Sequence, residues 1–303
     1  MINNRFLMRT RNNIIITGIT SIHGWPIFLK LRQKYGDLVH GICPLKMSDY
    51  FQDTANIHYC DIEDFSSLKN IFDQVKPGSV LHAGGVCDLD MCEDSPHFAY
   101  KVNVDGAKNI IELSNKAYVL YISSDLVFSG CSNILDNGYT ENCSTDPVSV
   151  VGKTYVCAET EILKHNMCGI IRLALPIGPS ISGTKGAVDF ISKRLAESKK
   201  MTLFHDEIRS LITTRDLAKG IVDFFDKRGQ GVFHFGGPKE YSLYDIGEYL
   251  VRKFDYSEKY LISASRLDEK NGPPRIGRVT LDSTKIYDYL DFIPEDSLIC
   301  AIM

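Results

Sequence analysis

The sequence predicts an α/β architecture: a doubly wound parallel sheet with a smaller C-terminal lobe. Three observations carry that expectation. Short apolar runs alternate with segments of helical period from Asn13 to about Leu173. The first run, Ile14–Ile16, passes through Gly18-Ile19-Thr20-Ser21-Ile22-His23-Gly24 into the amphipathic stretch Trp25–Lys34, giving the order strand, tight turn, helix. Beyond Leu175 the alternation loosens into loops rich in Pro and Gly.

Each element follows in turn. Leu38–Cys43 reads as a second strand and His58–Cys60 as a short third. Leu68, Ile71, Phe72 and Val75 recur at helical spacing over Ser66–Val75, and Pro77-Gly78 ends that helix. Ser79–Gly85 is a buried strand running into a flexible turn. Asp94-Ser95-Pro96 starts a helix that continues through Val102, Gly106, Ile110 and Leu113. Tyr118–Ile122 is the fifth strand, Asp146-Pro147 opens a helix to Leu163, and Gly169–Leu173 is the sixth strand. Parallel strands joined by crossover helices form a Rossmann-type sheet, whose ligands bind at the carboxyl ends of the strands; Gly18, Gly84 and Ser123 all fall there. After it come helices Val188–Lys199 and Ser242–Phe254, another helix after Thr213-Thr214, a strand Gly231–Phe235 and a bend at Pro273-Pro274. The expected division is a dinucleotide-binding domain over 1–173, to which 214–235 returns, and a substrate lobe over 174–213 and 236–303.

Composition narrows the function classes. An apolar fraction of 44% with 24% charged residues is that of an ordinary soluble protein, and 303 residues suffice for one large domain with a lobe. A net charge of −4 without a basic face argues against nucleic acid or an anionic membrane as partner. No apolar run approaches a membrane span, and Ile14–Ile16 is too short for a secretory signal. Nine cysteines without a Cys-x-x-Cys pair point to reduced thiols and a cytoplasmic location. Cys87 and Cys92, near Asp88, Asp90, Glu93 and His97, read as free thiols by a polar turn, and no metal is expected.

The turn Gly18-x-x-Ser21-x-x-Gly24 would bring backbone N–H groups and a helix N-terminus to a pyrophosphate. Ser21 replaces the central glycine of the usual pattern and takes up room a phosphate would use, so a narrow pocket and weak binding are expected. Further along stand His82-Ala83-Gly84-Gly85, Val102-Asn103-Val104-Asp105-Gly106, Tyr121–Phe128, Thr214–Ala218, Phe233–Pro238 and Leu281–Lys285. With the phosphate turn these seven motifs, in this order from about Asn13 to Leu290, resemble the extended short-chain dehydrogenase/reductase superfamily. Within it the chain is most similar to the dTDP-4-dehydrorhamnose reductases and the regulatory β subunits of methionine adenosyltransferase.

The resemblance implies a role for each matching position. Gly18, Ser21, Ile22 and Gly24 would hold the pyrophosphate, Asp61 and Ile62 the adenine, and Ala83, Gly84 and Gly85 would back the cofactor. Asn103 would hold the active-site helix or a water, Ser124 would bond the reacting oxygen, and Asp125 and Arg275 would face substrate. Arg275 has two readings: an anchor for a phosphate or carboxylate, or a surface arginine paired with a loop acid. No acid follows the second strand to bind a ribose as in NAD sites, and Lys46 could meet a 2′-phosphate, which favours NADP slightly over NAD; a solvated lysine is the other reading.

One motif departs. The family carries Tyr-x-x-x-Lys on the active-site helix, and the frame Gly152-Lys153-Thr154 puts Val151 at the tyrosine position and Tyr155 at the lysine position. A phenol must protonate the carbonyl as hydride arrives, and an ammonium one turn on lowers its pKa. Valine has no proton to give, and Lys153 points off that face. Two functions therefore stand. One is an enzyme of altered chemistry on a small molecule such as a nucleotide sugar, with Ser124 and Tyr155 handling protons and the Tyr155 hydroxyl, of pKa near ~10, reaching toward Ser124. The other is a ligand-binding protein without turnover, a homodimer or an accessory subunit of another enzyme.

Overall fold

Ile14, Ile15 and Ile16 show how one run of sequence serves two faces of a sheet: Ile15 enters one hydrophobic core, Ile14 and Ile16 the other. Both Ile15 and Ile16 are fully buried, and each such side chain contributes about 1.5–3 kcal/mol of apolar transfer. The computed structural model describes residues 12–51, 54–131, 138–296 and 298.

In chain order the first part comprises β1 (Ile14–Thr17), α1 (Gly24–Tyr35), β2 (Val39–Cys43), β3 (Ile57–Tyr59), α2 (Phe65–Val75) and β4 (Ser79–His82). Then come α3 (Leu89–Asp94), α4 (Pro96–Tyr100), α5 (Gly106–Ser114), β5 (Tyr118–Ser124), α6 (Val150–Ile162) and β6 (Cys168–Leu173). The remainder is β7 (Leu175–Ile177), α7 (Ala187–Ala196), β8 (Met201–Phe204), β9 (Ile208–Thr213), α8 (Thr214–Asp226) and β10 (Gly231–Phe235). It closes with β11 (Glu240–Ser242), α9 (Leu243–Phe254), β12 (Leu261–Ala264), β13 (Arg278–Val279) and α10 (Thr284–Leu290).

Seven parallel strands form the main sheet in the order β10-β6-β5-β4-β1-β2-β3. The order reverses direction at β1, which is the topological switch point of a doubly wound sheet. Residues of α2, α5 and α6 pack on the face shared by Ile15, Val80 and Val119. Residues of α1, α8 and α10 pack on the face of Ile16, Leu81 and Leu120. A third, smaller core gathers Ile177, Val188, Ile191, Leu203, Leu211, Ile246 and Leu250 around β7–β9, α7 and α9.

Two helix starts differ from the sequence expectation. The helix expected from Asp146 begins at Val150: the Ser149 hydroxyl accepts from Gly152 N at 3.2 Å, and Glu93 Oε1 accepts from Val150 N at 2.7 Å. Asp146 serves the neighbouring loop, accepting from Ser129 N at 2.8 Å. The segment expected to run unbroken from Asp94 is preceded by α3 and passes from α4 to α5 through a π-helical turn, Lys101–Asp105. Cys92 is thus a buried helix residue, not part of a ligand-bearing loop. The short strands β7–β9 and β11–β13, and α10, have too little periodic length to stand out in the sequence.

Candidate functional site

The carboxyl ends of β1, β2 and β4 open onto a groove of about 260 Å³, lined by Gly18, Thr20, Ser21, Lys46, Asp61, Ile62, Ala83, Gly84, Gly85 and Lys185 among others. Its floor depends on one glycine conformation. Gly18 has φ of +68°, and a Cβ there would fall 2.3 Å from the carbonyl oxygen of Ala83. Only a residue without a side chain lets the turn after β1 lie against the end of β4.

Buried polar groups fix those strand ends. Thr17 Oγ1 lies 2.8 Å from His82 Nδ1 and accepts from Gly84 N at 3.1 Å, tying the ends of β1 and β4 together. Burial lowers the His82 pKa to about 3, which keeps the ring neutral and able to accept. His23 reaches the Ala83 carbonyl at 3.3 Å, and burial lowers its pKa to about 4. The ring is neutral and brings no charge to the turn.

Ser21 lines the groove, at the turn after β1. Its hydroxyl folds back and accepts from Gly24 N at 2.9 Å, so the serine consumes an N–H that a ligand phosphate could have taken. Ile22 is absent from the lining; its Cδ1 lies against the loop at Gly186, where a Cβ would come within 2.4 Å.

On the other side of β4, Asn103 ties three pieces together. Its Oδ1 accepts from Val86 N at 2.8 Å, and its Nδ2 donates to Val86 O and to Thr154 Oγ1, each at 2.9 Å. The π-helical turn thereby anchors the loop after β4 to α6. Ser124, at the end of β5, donates to Asp125 Oδ1 at 3.1 Å and accepts from Leu126 N at 3.2 Å.

The two positions on α6 expected to be catalytic are both buried. Val151 is fully buried in the core. Tyr155 stacks on Tyr121 with ring centroids 6.3 Å apart, and its hydroxyl lies 3.2 Å from where a Cβ at Gly85 would be. Among the described residues no hydrogen bond joins that hydroxyl to Ser124, whose partners are Asp125 and Leu126. Nor does the phenol keep an ordinary pKa of about 10: burial raises it well above that, and the nearby Cys87 and Cys92 add to the shift. Lys153 is exposed.

The two residues expected to meet substrate each pair with another charged side chain. Asp125 has no exposed surface, and Arg209 holds its carboxylate through Nε, at 2.8 Å, and Nη2. Arg275 stands 3.6 Å from Glu207 Oε2, its guanidinium over the ring of Phe204, with a quarter of its side chain exposed. Burial raises the Glu207 pKa, opposed by Arg209 and Arg275. Sequence reasoning misses Arg209, Lys185 and the buried Glu159–Arg172 pair, which joins at 2.8 Å and takes the Ser123 hydroxyl at 2.6 Å. Local hints exist for that pair alone: Glu159 is an acid on an otherwise apolar helix face, and Arg172 a charge inside an apolar strand.

Comparison with known proteins agrees with this arrangement. The model of the RmlD substrate binding domain matches residues 12–296. Methionine adenosyltransferase 2 subunit beta of Xenopus tropicalis is 23% identical over 282 residues, 90% of this chain and 80% of that protein. A hypothetical dTDP-4-dehydrorhamnose reductase from Sulfolobus tokodaii superposes with a TM-score of 0.79 at 23% identity, over 96% of this chain and 99% of the other. The dTDP-4-dehydrorhamnose reductase of Bacillus anthracis, solved in complex with NADP, superposes with a TM-score of 0.81 at 18% identity over 95% and 96%. Among the described residues no helix is long and apolar enough to cross a membrane. With the parallel sheet, the glycine turn and the match over residues 12–296, the chain belongs to the RmlD substrate binding domain family of extended short-chain dehydrogenase/reductases.

Proposed function

We propose that this chain binds a nicotinamide dinucleotide in the groove above β1, β2 and β4, and acts as a binding protein without ketone reductase turnover. The observation that carries the reading is the pair of positions on α6: a buried valine where the family has its phenol, and a buried phenol where it has its ammonium. When bound, the dinucleotide would supply hydride chemistry; the chain's own residues would position it. The turn at Gly18–Gly24 would hold the phosphates, Asp61 and Ile62 the adenine end, and Ala83–Gly85 the nicotinamide half. The Bacillus anthracis reductase holds NADP, and Lys46 in the groove lining supports the same preference here.

A carbonyl taking up hydride needs a proton at its oxygen in the same step, and removing a positioned acid typically costs about 10²–10⁴ in rate. Tyr155, held protonated by burial, can donate a hydrogen bond but has no neighbouring ammonium to stabilise its phenolate. A role as accessory subunit fits this state, and methionine adenosyltransferase 2 subunit beta is a relative over 90% of the chain.

Calorimetric titration with NADH and NADPH, followed by a hydride-transfer assay on a dTDP-4-keto sugar, tests the reading. Dinucleotide should bind, wild type and Tyr155→Phe should be equally inert, and the double variant Val151→Tyr, Tyr155→Lys should gain activity. Turnover by the wild type that Tyr155→Phe abolishes would establish an active enzyme instead.

A further inference from the structure

Two N–H groups of the phosphate turn are already engaged. Ser21 N donates to Gly18 O at 2.9 Å, and Gly24 N is taken by the Ser21 hydroxyl at 2.9 Å. His23 is neutral. The turn therefore offers an anion less than the row of free N–H groups that usually makes such a site.

A cation from another part of the chain lies over this spot. Lys185, in the loop before α7, extends across the groove and donates from Nζ to the carbonyl oxygen of Thr20 at 3.3 Å, inside the turn itself. The loop is seated there by Gly186, whose φ of +85° turns the backbone and whose Cα lies against Ile22 of the same turn. Partial desolvation lowers the Lys185 pKa, Cys87 opposes that shift, and the charge of Lys46 across the groove adds to it. Both lysines line the groove, and among the described residues neither is in an ion pair. The acids of the lining, Asp61 and Glu63, sit at the end of β3 and pair with neither lysine. A main-chain carbonyl is a poor partner for an ammonium, since it neutralises none of its charge; a phosphate oxygen would do so.

We propose that Lys185 is the cation that pairs with the diphosphate of the bound nucleotide, exchanging the Thr20 carbonyl for a phosphate oxygen. The ligand class is a nucleoside diphosphate unit, shared by NADH, NADPH and ADP. This rests on the dinucleotide reading given above and assigns it a residue. Lys185 compensates for the Gly24 N–H that the Ser21 hydroxyl takes.

Calorimetric titration of wild type, Lys185→Ala, Lys185→Arg and Lys46→Ala with NADH, NADPH, ADP and adenosine tests the assignment. Lys185→Ala should weaken NADH, NADPH and ADP by a common factor of about ten to a hundred, the range of a charge-assisted hydrogen bond. Adenosine should be indifferent, Lys185→Arg should retain most of the affinity, and Lys46→Ala should weaken NADPH alone. Unchanged NADH affinity in Lys185→Ala, a loss confined to NADPH, or an equal loss for adenosine would each overturn the role of Lys185 and leave the dinucleotide reading standing. Failure of the wild type to bind either dinucleotide or ADP would overturn both.

Discussion

Arg209 on β9 and Asp125 at the end of β5, 84 residues apart in sequence, form a two-pronged ion pair in which the carboxylate has no exposed surface. The pair joins the main sheet to the β7–β9–β11 assembly and orders the end of β5, where Ser124 donates to the same carboxylate.

Truncating one partner of this pair should be costly. Asp125→Ala leaves a guanidinium with only 11% of its side chain exposed and no bidentate carboxylate. A loss of about 3–5 kcal/mol is expected, the range for an uncompensated buried charge. Urea denaturation measures it, and the double variant Asp125→Ala, Arg209→Met should be less destabilised than Asp125→Ala alone. Equal destabilisation would mean that the charge is rehydrated.

Gly18→Ala should damage folding and binding together. The residue sits at φ of +68°, and its new Cβ would lie 2.3 Å from the Ala83 carbonyl oxygen, a backbone atom that cannot step aside without moving β4. Left-handed strain alone costs about 1–2 kcal/mol. The thermal midpoint should fall and dinucleotide titration should show no heat, whereas Gly36→Ala, where a Cβ meets nothing within 4 Å, should show the φ penalty alone.

Stability should decline on mild acidification. An unfolded histidine titrates near ~6.5, whereas burial lowers His82 and His234 to about 3 and His23 to about 4. Below pH 6.5 the unfolded chain therefore takes up protons that the native state refuses, and the native state loses ground until those lower values are reached. Each histidine contributes a slope of about 1.4 kcal/mol per pH unit within that window. Urea melts between pH 8 and pH 5 should show stability level above 6.5 and falling below it, with a shallower fall in His82→Gln. An unchanged slope in that variant would remove His82 from the effect.

What the sequence determined by itself is what depends on residues a few positions apart. The apolar run Ile14–Ile16, the helical spacing of Leu68, Phe72 and Val75, and the Gly18-x-x-Ser21-x-x-Gly24 turn are local properties, and they point to the parallel sheet and its first turn. The proposed departure at the phenol and ammonium positions is legible for the same reason, since Val151 and Tyr155 are one helical turn apart whatever surrounds them. Tertiary structure decided everything that depends on which chain segments the crossovers bring together. Lys185 meets Thr20 across 165 residues and Arg209 takes Asp125 across 84. The hydroxyl of Tyr155 lies against Gly85, 70 residues earlier in the chain, and its ring stacks on Tyr121 of β5. Charge pairing, desolvation and ring packing act through space with no period along the chain, so no spacing of residues could announce them.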